Sequence, residues 1–167
     1  SDIHDDVKLQ IVASMDALHH LIATDLRPRD ILTREAFENA ITTAYAMGGS
    51  TNLYLHILAL AREAQIDLTI EQIHDLGARV PLITNLQPHG PYAMVSLHQL
   101  GGVPIVMKEL LESGLLHGDA MTVTGNSVAQ NLAAVPRLSD LGNQDVVHPV
   151  ARPLANPGNH ISVLKGN

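Results

Sequence analysis

Met47-Gly48-Gly49-Ser50-Thr51-Asn52 is the stretch that decides the fold of this chain, together with the apolar run that follows it. The glycine pair predicts the end of one helix, and the hydroxyl side chains after it predict the cap of the next. Residues 53–61 read LYLHILALA, which is apolar nearly all round and predicts a helix buried on most sides. We expect His56 to be a satisfied core histidine, and the core to include Leu53, Ile57, Leu60 and Ala61.

Helical spacing and capping residues predict further helices on both sides of this stretch. Apolar residues recur at helical spacing over residues 3–24, and Thr33 is a suitable N-cap for a helix that ends at the glycine pair. Residues 25–30 read as a loop. Thr69 and Gln72 have the spacing of a capping box. The remaining helices are expected at 52–64, 69–76, 93–100, 105–112 and around 128–132.

Extended structure is expected to be scarce. A short extended piece is predicted at 82–84, and the alternating β-branched residues 121–124 predict a short strand. A strand-like run also occupies 161–164. Beyond Pro136 the chain is punctuated by proline and glycine and has little periodicity, which indicates a connector. The expected fold class is therefore α/β, predominantly helical with few short strands.

The composition excludes several classes of protein. Ten Lys and Arg against seventeen Asp and Glu give a net charge of −7, which argues against a nucleic-acid partner. The absence of cysteine excludes a disulfide scaffold, a thiolate zinc site and a cysteine-held cluster within this chain. No apolar run reaches the roughly 18 residues of a membrane helix, and we expect no secretory leader, since the first residues lack its basic and apolar pattern. We expect no membrane partner and a reducing, cytoplasmic location.

The glycine turn is also the first candidate binding site. Glycines and a following helix start can present backbone N–H groups to a phosphate or carboxylate, and the short polar side chains add donors. The alternative is a plain C-cap followed by an N-cap, which needs no ligand. The spacing is neither G-x-G-x-x-G nor a P-loop, so nucleotide binding is disfavoured. The candidate residues are Gly48, Gly49, Ser50, Thr51 and Asn52.

Three other stretches could bring the backbone close to a ligand, although each can equally be a simple turn. They are His89-Gly90-Pro91-Tyr92, the pair Gly101-Gly102, and residues 121–126. The ten histidines show no H-E-x-x-H or His-x-His spacing, so no metal site is expected from this chain alone.

A series of blocks, in order and at fixed spacing, resembles the dihydroxy-acid dehydratase and phosphogluconate dehydratase family over nearly the whole chain. The blocks are DILTREAFENA at 30–40, MGGSTN at 47–52, RVP at 79–81, GGVP at 101–104, GLLHGD at 114–119, TVTG at 122–125 and VLKGN at 163–167.

The resemblance implies a piece of a longer hydro-lyase that dehydrates 2,3-dihydroxy acids in branched-chain amino-acid biosynthesis. It implies an iron–sulfur cluster and magnesium in the complete enzymes, with none bound by this chain alone, a small hydroxy acid as partner, and a homodimer. The turn at 48–52 would lie beside the cluster or the acid group of the substrate. The isolated chain would be inactive, and its catalytic residues are not assigned.

By the same resemblance, residues 1–135 are the later part of the large N-terminal domain and 136–159 are a connector. Residues 160–167 would begin a C-terminal strand entering a swivelling β-barrel domain. Two alternatives stay open: a sugar-acid or 6-phosphogluconate dehydratase, and a non-catalytic helical binding module of the same fold.

Overall fold

The computed structural model describes residues 3–158, 161–164 and 166. The described residues are predominantly helical, as expected. They form eight α-helices and one short 3-10 helix: α1 Ile3–Thr24, α2 Pro28–Ile31, α3 Arg34–Ala46, α4 Asn52–Glu63, α5 Ile70–Gly77, α6 Met94–Gln99, α7 Val103–Glu112, α8 Val128–Leu132, and the 3-10 helix Leu138–Asp140.

Helix α3 is the centre of the fold, because α4, α5 and α7 all pack against it. Its start is capped as expected, with the backbone N–H of Ala36 donating to Thr33 Oγ1 at 3.4 Å. Its apolar face supplies fully buried side chains, including Ile41 and Tyr45. The same helix also buries two polar residues, Asn39 and Thr42. The core of the domain is therefore built around one helix with both apolar and polar buried groups.

The contact between α3 and α5 depends on a glycine. A Cβ atom added to Gly77 would lie 2.0 Å from Tyr45 Cζ, so the ring occupies the space that any larger residue would need. The Tyr45 hydroxyl forms a hydrogen bond with the hydroxyl of Tyr54 on α4. Burial, reinforced by this hydrogen bond, raises the pKa of Tyr45. One tyrosine thus ties three helices together as a neutral phenol.

A buried connector, residues 82–86, runs beside the end of α3. The backbone N–H of Ile83 donates to Ala46 O at 2.9 Å, and the Ile83 carbonyl accepts from the backbone N–H of His148 at 2.7 Å. Single antiparallel bridges join Leu82 to Ala155 and Thr84 to Val147. The extended piece expected at 82–84 is therefore present as isolated bridges, and it links α3 to the irregular segment after residue 141.

The strand predicted at 121–124 is wrong. Met121 pairs only with Ser127, and the residues between them form a turn in which Thr122 N–H donates to Asn126 O at 3.0 Å. Thr122 Oγ1 donates to the same carbonyl at 2.7 Å. Local side-chain hydrogen bonds of this kind compete with a sheet ladder, and the β-branched pattern does not reveal them. No residue in the described part of the chain belongs to a multi-residue strand.

The run at 161–164 is not a regular strand in the structure either, although Ile161 is buried. Residues 159, 160, 165 and 167 lie outside the described residues, so the boundary expected at 160 is not described.

Two short helical turns were not expected from the sequence. Residues 25–30 are not all loop, because α2 starts at Pro28, and its Asp30 Oδ2 accepts from the backbone N–H of Arg27 at 2.8 Å. At the start of the 3-10 helix, Asp140 Oδ2 accepts from the backbone N–H of Arg137 at 3.1 Å. In both places an aspartate three residues beyond the cap satisfies a backbone donor, which stabilises a single turn.

Helix α1 is amphipathic, but its apolar stripe is not covered by the described residues. Five large side chains spaced along one face are each between 47 and 70% exposed: Val7, Ile11, Met15, Leu18 and Ile22. Large apolar patches are uncommon on the exposed surface of single-chain globular proteins. Among the described helices, none combines the length and the apolarity that crossing a membrane would require.

Helix α4 is buried on one side only, which corrects the expectation drawn from its composition. Ile57 and Ala61, one helical turn apart, are buried, and Leu53 packs against the core. Leu60 is 53% exposed and His56 is also exposed, so their assignment to the core is wrong. The reason is that α3 and α5 contact a single face of α4.

Paired substitutions on α4 test this orientation. Ile57→Asp places a carboxylate in the core and should lower the free energy of unfolding by about 3 kcal/mol or more. Leu60→Asp, three residues away on the exposed side, should change it by less than about 0.5 kcal/mol. Urea denaturation of the chain and both variants measures the difference. Equal losses in the two variants would show that α4 is rotated relative to this description.

Candidate functional site

The glycine turn at 48–52 joins α3 to α4 as a Schellman motif. Gly49 N–H donates to Ala44 O at 2.8 Å and Gly48 N–H donates to Tyr45 O at 3.0 Å, which is the bonding pattern of that motif. Gly48 has φ of +67°, a conformation that side-chain-bearing residues rarely adopt. The glycine pair therefore performs the capping role that the sequence allowed as an alternative, and its two N–H groups are used.

The donors left for a ligand lie after the glycines. The backbone N–H groups of Ser50 and Thr51 have no partner among the described residues. Asn52 N–H donates to Ser50 Oγ at 3.2 Å, whereas Thr51, the N-cap residue of α4, makes no capping hydrogen bond with its side chain. The side chains of all three residues are exposed. The turn can thus offer two backbone N–H groups and the Asn52 amide to an anion at the start of a 12-residue helix.

The turn is held rigidly by its surroundings. Thr84 Oγ1 donates to Met47 O at 3.1 Å, just before the glycines. On the other side, a Cβ atom added to Gly48 would lie 2.6 Å from His89 Cδ2, so the imidazole rests directly against this glycine. The structure therefore brings together two of the stretches singled out from the sequence, the 48–52 turn and His89-Gly90-Pro91-Tyr92.

The loop that carries His89 is itself closed by backbone hydrogen bonds. Gly90 N–H donates to Leu86 O at 2.8 Å, and Tyr92 N–H donates to Asn85 O at 3.2 Å. A Cβ atom on Gly90 would lie 2.2 Å from Asn85 Oδ1, so the loop has no room for a larger residue. The imidazole is consequently presented from a fixed support.

The other two candidate stretches lie in other contacts. The pair Gly101-Gly102 joins α6 to α7, and Gly102 N–H caps α6 through Leu97 O at 2.9 Å. The 121–126 turn lies against α1, because a Cβ atom on Gly125 would be 2.6 Å from His20 Nε2. Both therefore serve as structural turns in this arrangement.

An apolar groove of about 500 Å³ lies between α3, α7 and the 120–123 segment. Met47, the residue before the glycine pair, lines it together with Ala40, Thr43, Met107, Met121 and Val123. The groove is thus adjacent to the turn through Met47. Its lining suits an aliphatic group, whereas the turn suits an anion.

A charged cluster that sequence reasoning missed lies on the outer part of α3. Arg34 Nε is 2.9 Å from Glu38 Oε1, and His117 Nε2 is 2.7 Å from Glu38 Oε2. Asn39 and His117 exchange two hydrogen bonds, side chain to backbone, at 2.8 and 2.9 Å. The i,i+4 spacing of Arg34 and Glu38 was the available signal. These bonds join the blocks 30–40 and 114–119, which both carry the family resemblance.

The side chains that could bind a metal ion do not form a metal centre within the described part of the chain. No group of three or more His, Asp or Glu side chains there is arranged to hold a metal ion, and the sequence has no cysteine.

Comparison with known proteins assigns the family. The model of the dihydroxy-acid/6-phosphogluconate dehydratase N-terminal region matches residues 4–131, which is most of the chain. This chain belongs to the dihydroxy-acid/6-phosphogluconate dehydratase family. The resemblance noted in the sequence blocks is thereby confirmed.

Individual relatives carry the same name. The chain is 43% identical over 167 residues to a dihydroxy-acid dehydratase of Leptothrix cholodnii, covering all of this chain and 29% of that protein. It is 50% identical over 151 residues to one of Sulfurisphaera tokodaii, covering 90% and 27%. It is 49% identical over 146 residues to one of Thermosynechococcus vestitus, covering 87% and 26%. The chain thus spans less than a third of the length of these dehydratases.

The charged cluster on α3 predicts an acid-sensitive contribution to stability. Burial by itself raises the pKa of the Glu38 carboxyl. The hydrogen bonds from Arg34 and His117 lower this pKa by more than burial raises it, so the net pKa lies below its usual value. A carboxyl with a lowered folded-state pKa stabilises the fold above its ordinary pKa of about 4.3, and this contribution is lost as the pH falls through the lowered value.

Glu38→Gln should therefore destabilise the chain by about 1 kcal/mol at pH 7, and the difference from the parent should shrink as the pH falls below about 4. Urea denaturation at several pH values measures this. Glu63→Gln on the exposed side of α4 is the control and should show no such trend. A pH-independent difference for Glu38→Gln would contradict the assigned role.

Proposed function

We propose that this chain is part of a hydro-lyase that removes water from 2,3-dihydroxy acids in branched-chain amino-acid biosynthesis. The proposal is supported by relatives named dihydroxy-acid dehydratase, 43–50% identical over 87–100% of the chain. Because the chain spans 26–29% of those relatives, we assign the activity to a longer protein and propose that the 167 residues alone are inactive.

The domain arrangement is proposed on the same basis. Residues 1–135 form the later part of the N-terminal α/β domain, 136–159 form a connector, and 160–167 lead into a swivelling C-terminal β-barrel domain. The helical content up to Leu132 and the irregular backbone after residue 141 agree with this division.

The proposed cofactors are an iron–sulfur cluster and magnesium in the complete enzyme, where a metal ion acts as a Lewis acid on the departing hydroxyl group. The residues of this chain do not fit either group, because it has no thiolate and its described residues gather no oxygen-rich ligand set. We therefore assign no ligand and no catalytic base to it.

The proposed task of this chain is to bind the acid group of the substrate at the turn, next to the cluster. The observation that carries this is the pair of free N–H groups of Ser50 and Thr51 at the start of α4, beside the exposed Asn52 amide. Donors at a helix N-terminus favour a carboxylate. The hydrogen bond from Thr84 to Met47 and the contact of His89 with Gly48 hold these donors in place.

The remaining proposals concern partners. We propose that the complete enzyme binds a small hydroxy acid and that it binds neither nucleic acid nor a membrane. We also propose that it is a cytoplasmic homodimer.

Two alternatives have weaker support. A sugar-acid or 6-phosphogluconate dehydratase is supported by the matched family, which includes 6-phosphogluconate dehydratases, whereas the relatives compared above are dihydroxy-acid dehydratases. The second alternative is a non-catalytic helical binding module of this fold.

Substitutions in the complete enzyme test the turn. Asn52→Ala should lower the rate of dehydration by more than about tenfold, because it removes the side-chain amide donor and a hydrogen bond to a charged group is worth about 1.5 kcal/mol or more. Ser50→Ala keeps the backbone N–H groups of Ser50 and Thr51 and removes only the Oγ that accepts from Asn52 N–H, so it should cost about 1 kcal/mol of stability and lower the rate less than Asn52→Ala.

Thr69→Ala is the control for stability, because it removes a side-chain acceptor at the start of another helix, α5, where Thr69 Oγ1 accepts from Gln72 N–H at 3.2 Å. It should lower the melting temperature like Ser50→Ala and leave the rate unchanged. Full activity of Asn52→Ala would contradict anion binding by its side-chain amide. The rates of dehydration measured with dihydroxy, sugar and phosphosugar acids decide the substrate class. If the complete enzyme dehydrates none of these acids, the result favours the binding module.

A further inference from the structure

Two tyrosines flank the glycine turn, one in each of the two helices that the turn joins. Tyr45 lies in the last turn of α3 and Tyr54 lies in the first turn of α4, nine residues further along the chain. Their hydroxyl groups share a hydrogen bond. A contact between side chains therefore closes the base of the loop that carries Ser50 and Thr51.

The start of α4 lacks the contacts that usually fix a helix end. Thr51, its N-cap residue, makes no capping hydrogen bond with its side chain, and the first turn holds no acidic residue. By contrast, the N-cap side chains of α3, α5 and α8 each accept a backbone N–H. Because helix ends fray where no cap holds them, the first turn of α4 depends on other contacts.

Each tyrosine also fixes one half of the turn through its own backbone. The Tyr45 carbonyl accepts from Gly48 N–H at 3.0 Å, before the donors that remain free. Tyr54 N–H donates to the Thr51 carbonyl at 3.2 Å, after them. The hydroxyl bond therefore joins the two halves of the turn to each other.

The first turn of α4 sets the direction of a free donor. The Ser50 carbonyl accepts from Leu53 N–H at 3.0 Å. Because a peptide group is planar, this bond also orients the Thr51 N–H, which lies in the same peptide plane as the Ser50 carbonyl. A contact that holds Leu53 and Tyr54 in place thus holds this N–H as well.

Tyr45 is the immobile partner of the pair. It is 1% exposed, and a Cβ atom on Gly77 would lie 2.0 Å from its Cζ, so its ring has no room to shift toward α5. Tyr54 is half-buried and packs against the edge of the same core. A phenol both donates and accepts, so each hydroxyl satisfies the other. The bond consequently anchors the start of α4 to a fixed group of the core.

We propose that Tyr54 is a positioning residue, whose hydroxyl bond to Tyr45 holds the free N–H groups of Ser50 and Thr51 in the direction in which they bind a carboxylate. The proposal rests on the function proposed above for the turn. It adds two residues that act through the backbone of the turn and not by contact with the substrate.

Tyr54→Phe and Tyr45→Phe each remove the bond and keep the ring, and the double variant removes both hydroxyl groups. NMR relaxation of the 167-residue chain measures the order parameters of the Ser50 and Thr51 amides. We expect these to fall from about 0.85, the value of rigid backbone, to below about 0.6 in all three variants. Thr33→Ala is the matched control, because it removes the cap at the opposite end of α3 and should leave both amides unchanged.

The kinetics of the complete enzyme separate positioning from stability. Tyr54→Phe leaves the buried hydroxyl of Tyr45 without a partner, so it should lower the melting temperature more than the double variant does. The KM for a 2,3-dihydroxy acid should rise by the same factor in both, about threefold or more, with kcat within about twofold of the parent, because both lose the same positioned donors. Thr33→Ala should lower the melting temperature and keep the KM of the parent.

Unchanged order parameters at Ser50 and Thr51 in Tyr54→Phe, or an equal fall in Thr33→Ala, would overturn the proposal. A KM that follows the melting temperature across the variants would overturn it as well, since that is the result of a purely structural bond. If Asn52→Ala keeps full activity, the function proposed for the turn fails, and the order parameters alone then decide whether Tyr54 positions these N–H groups.

Discussion

The carbonyl groups at the end of α3 impose the constraint on which the rest of the structure depends. A helix leaves its last four carbonyls without partners inside the helix, and here that end is surrounded by other elements. Gly49 and Gly48 satisfy two of the carbonyls, those of Ala44 and Tyr45. The connector 82–86 satisfies those of Ala46 and Met47, through Ile83 N–H and Thr84 Oγ1. One set of bonds therefore ends the helix, shapes the turn and anchors the buried connector.

The position of the candidate site follows from this arrangement. The glycine N–H groups are consumed by α3, so the anion-binding capacity of the turn moves to Ser50, Thr51 and Asn52. The connector also continues into the loop that places His89 against Gly48. The same bonds that stabilise the core thus fix the donors that the proposed function requires.

The sequence predicted the helices well because their signals are local. Thr33 and Thr69 cap the helices expected of them, and the glycine pair ends α3. The same local signals could not tell which face of an apolar helix is covered, so Leu60 was placed in the core and is exposed. Nor could β-branched residues at 121–124 reveal that the Thr122 hydroxyl would close a turn. The contact of Glu38 with His117 joins residues 79 apart, beyond the reach of any local pattern.

Hydrogen exchange of the backbone amides measures the central claim most directly. If the end of α3 and the connector form the most stable unit, the amides of residues 41–49 and of Ile83 should exchange slowest, at rates set by global unfolding. The amides of α1, whose apolar stripe is exposed, should exchange much faster. Protection of α1 equal to that of α3, or fast exchange at Gly48, Gly49 and Ile83, would contradict the account.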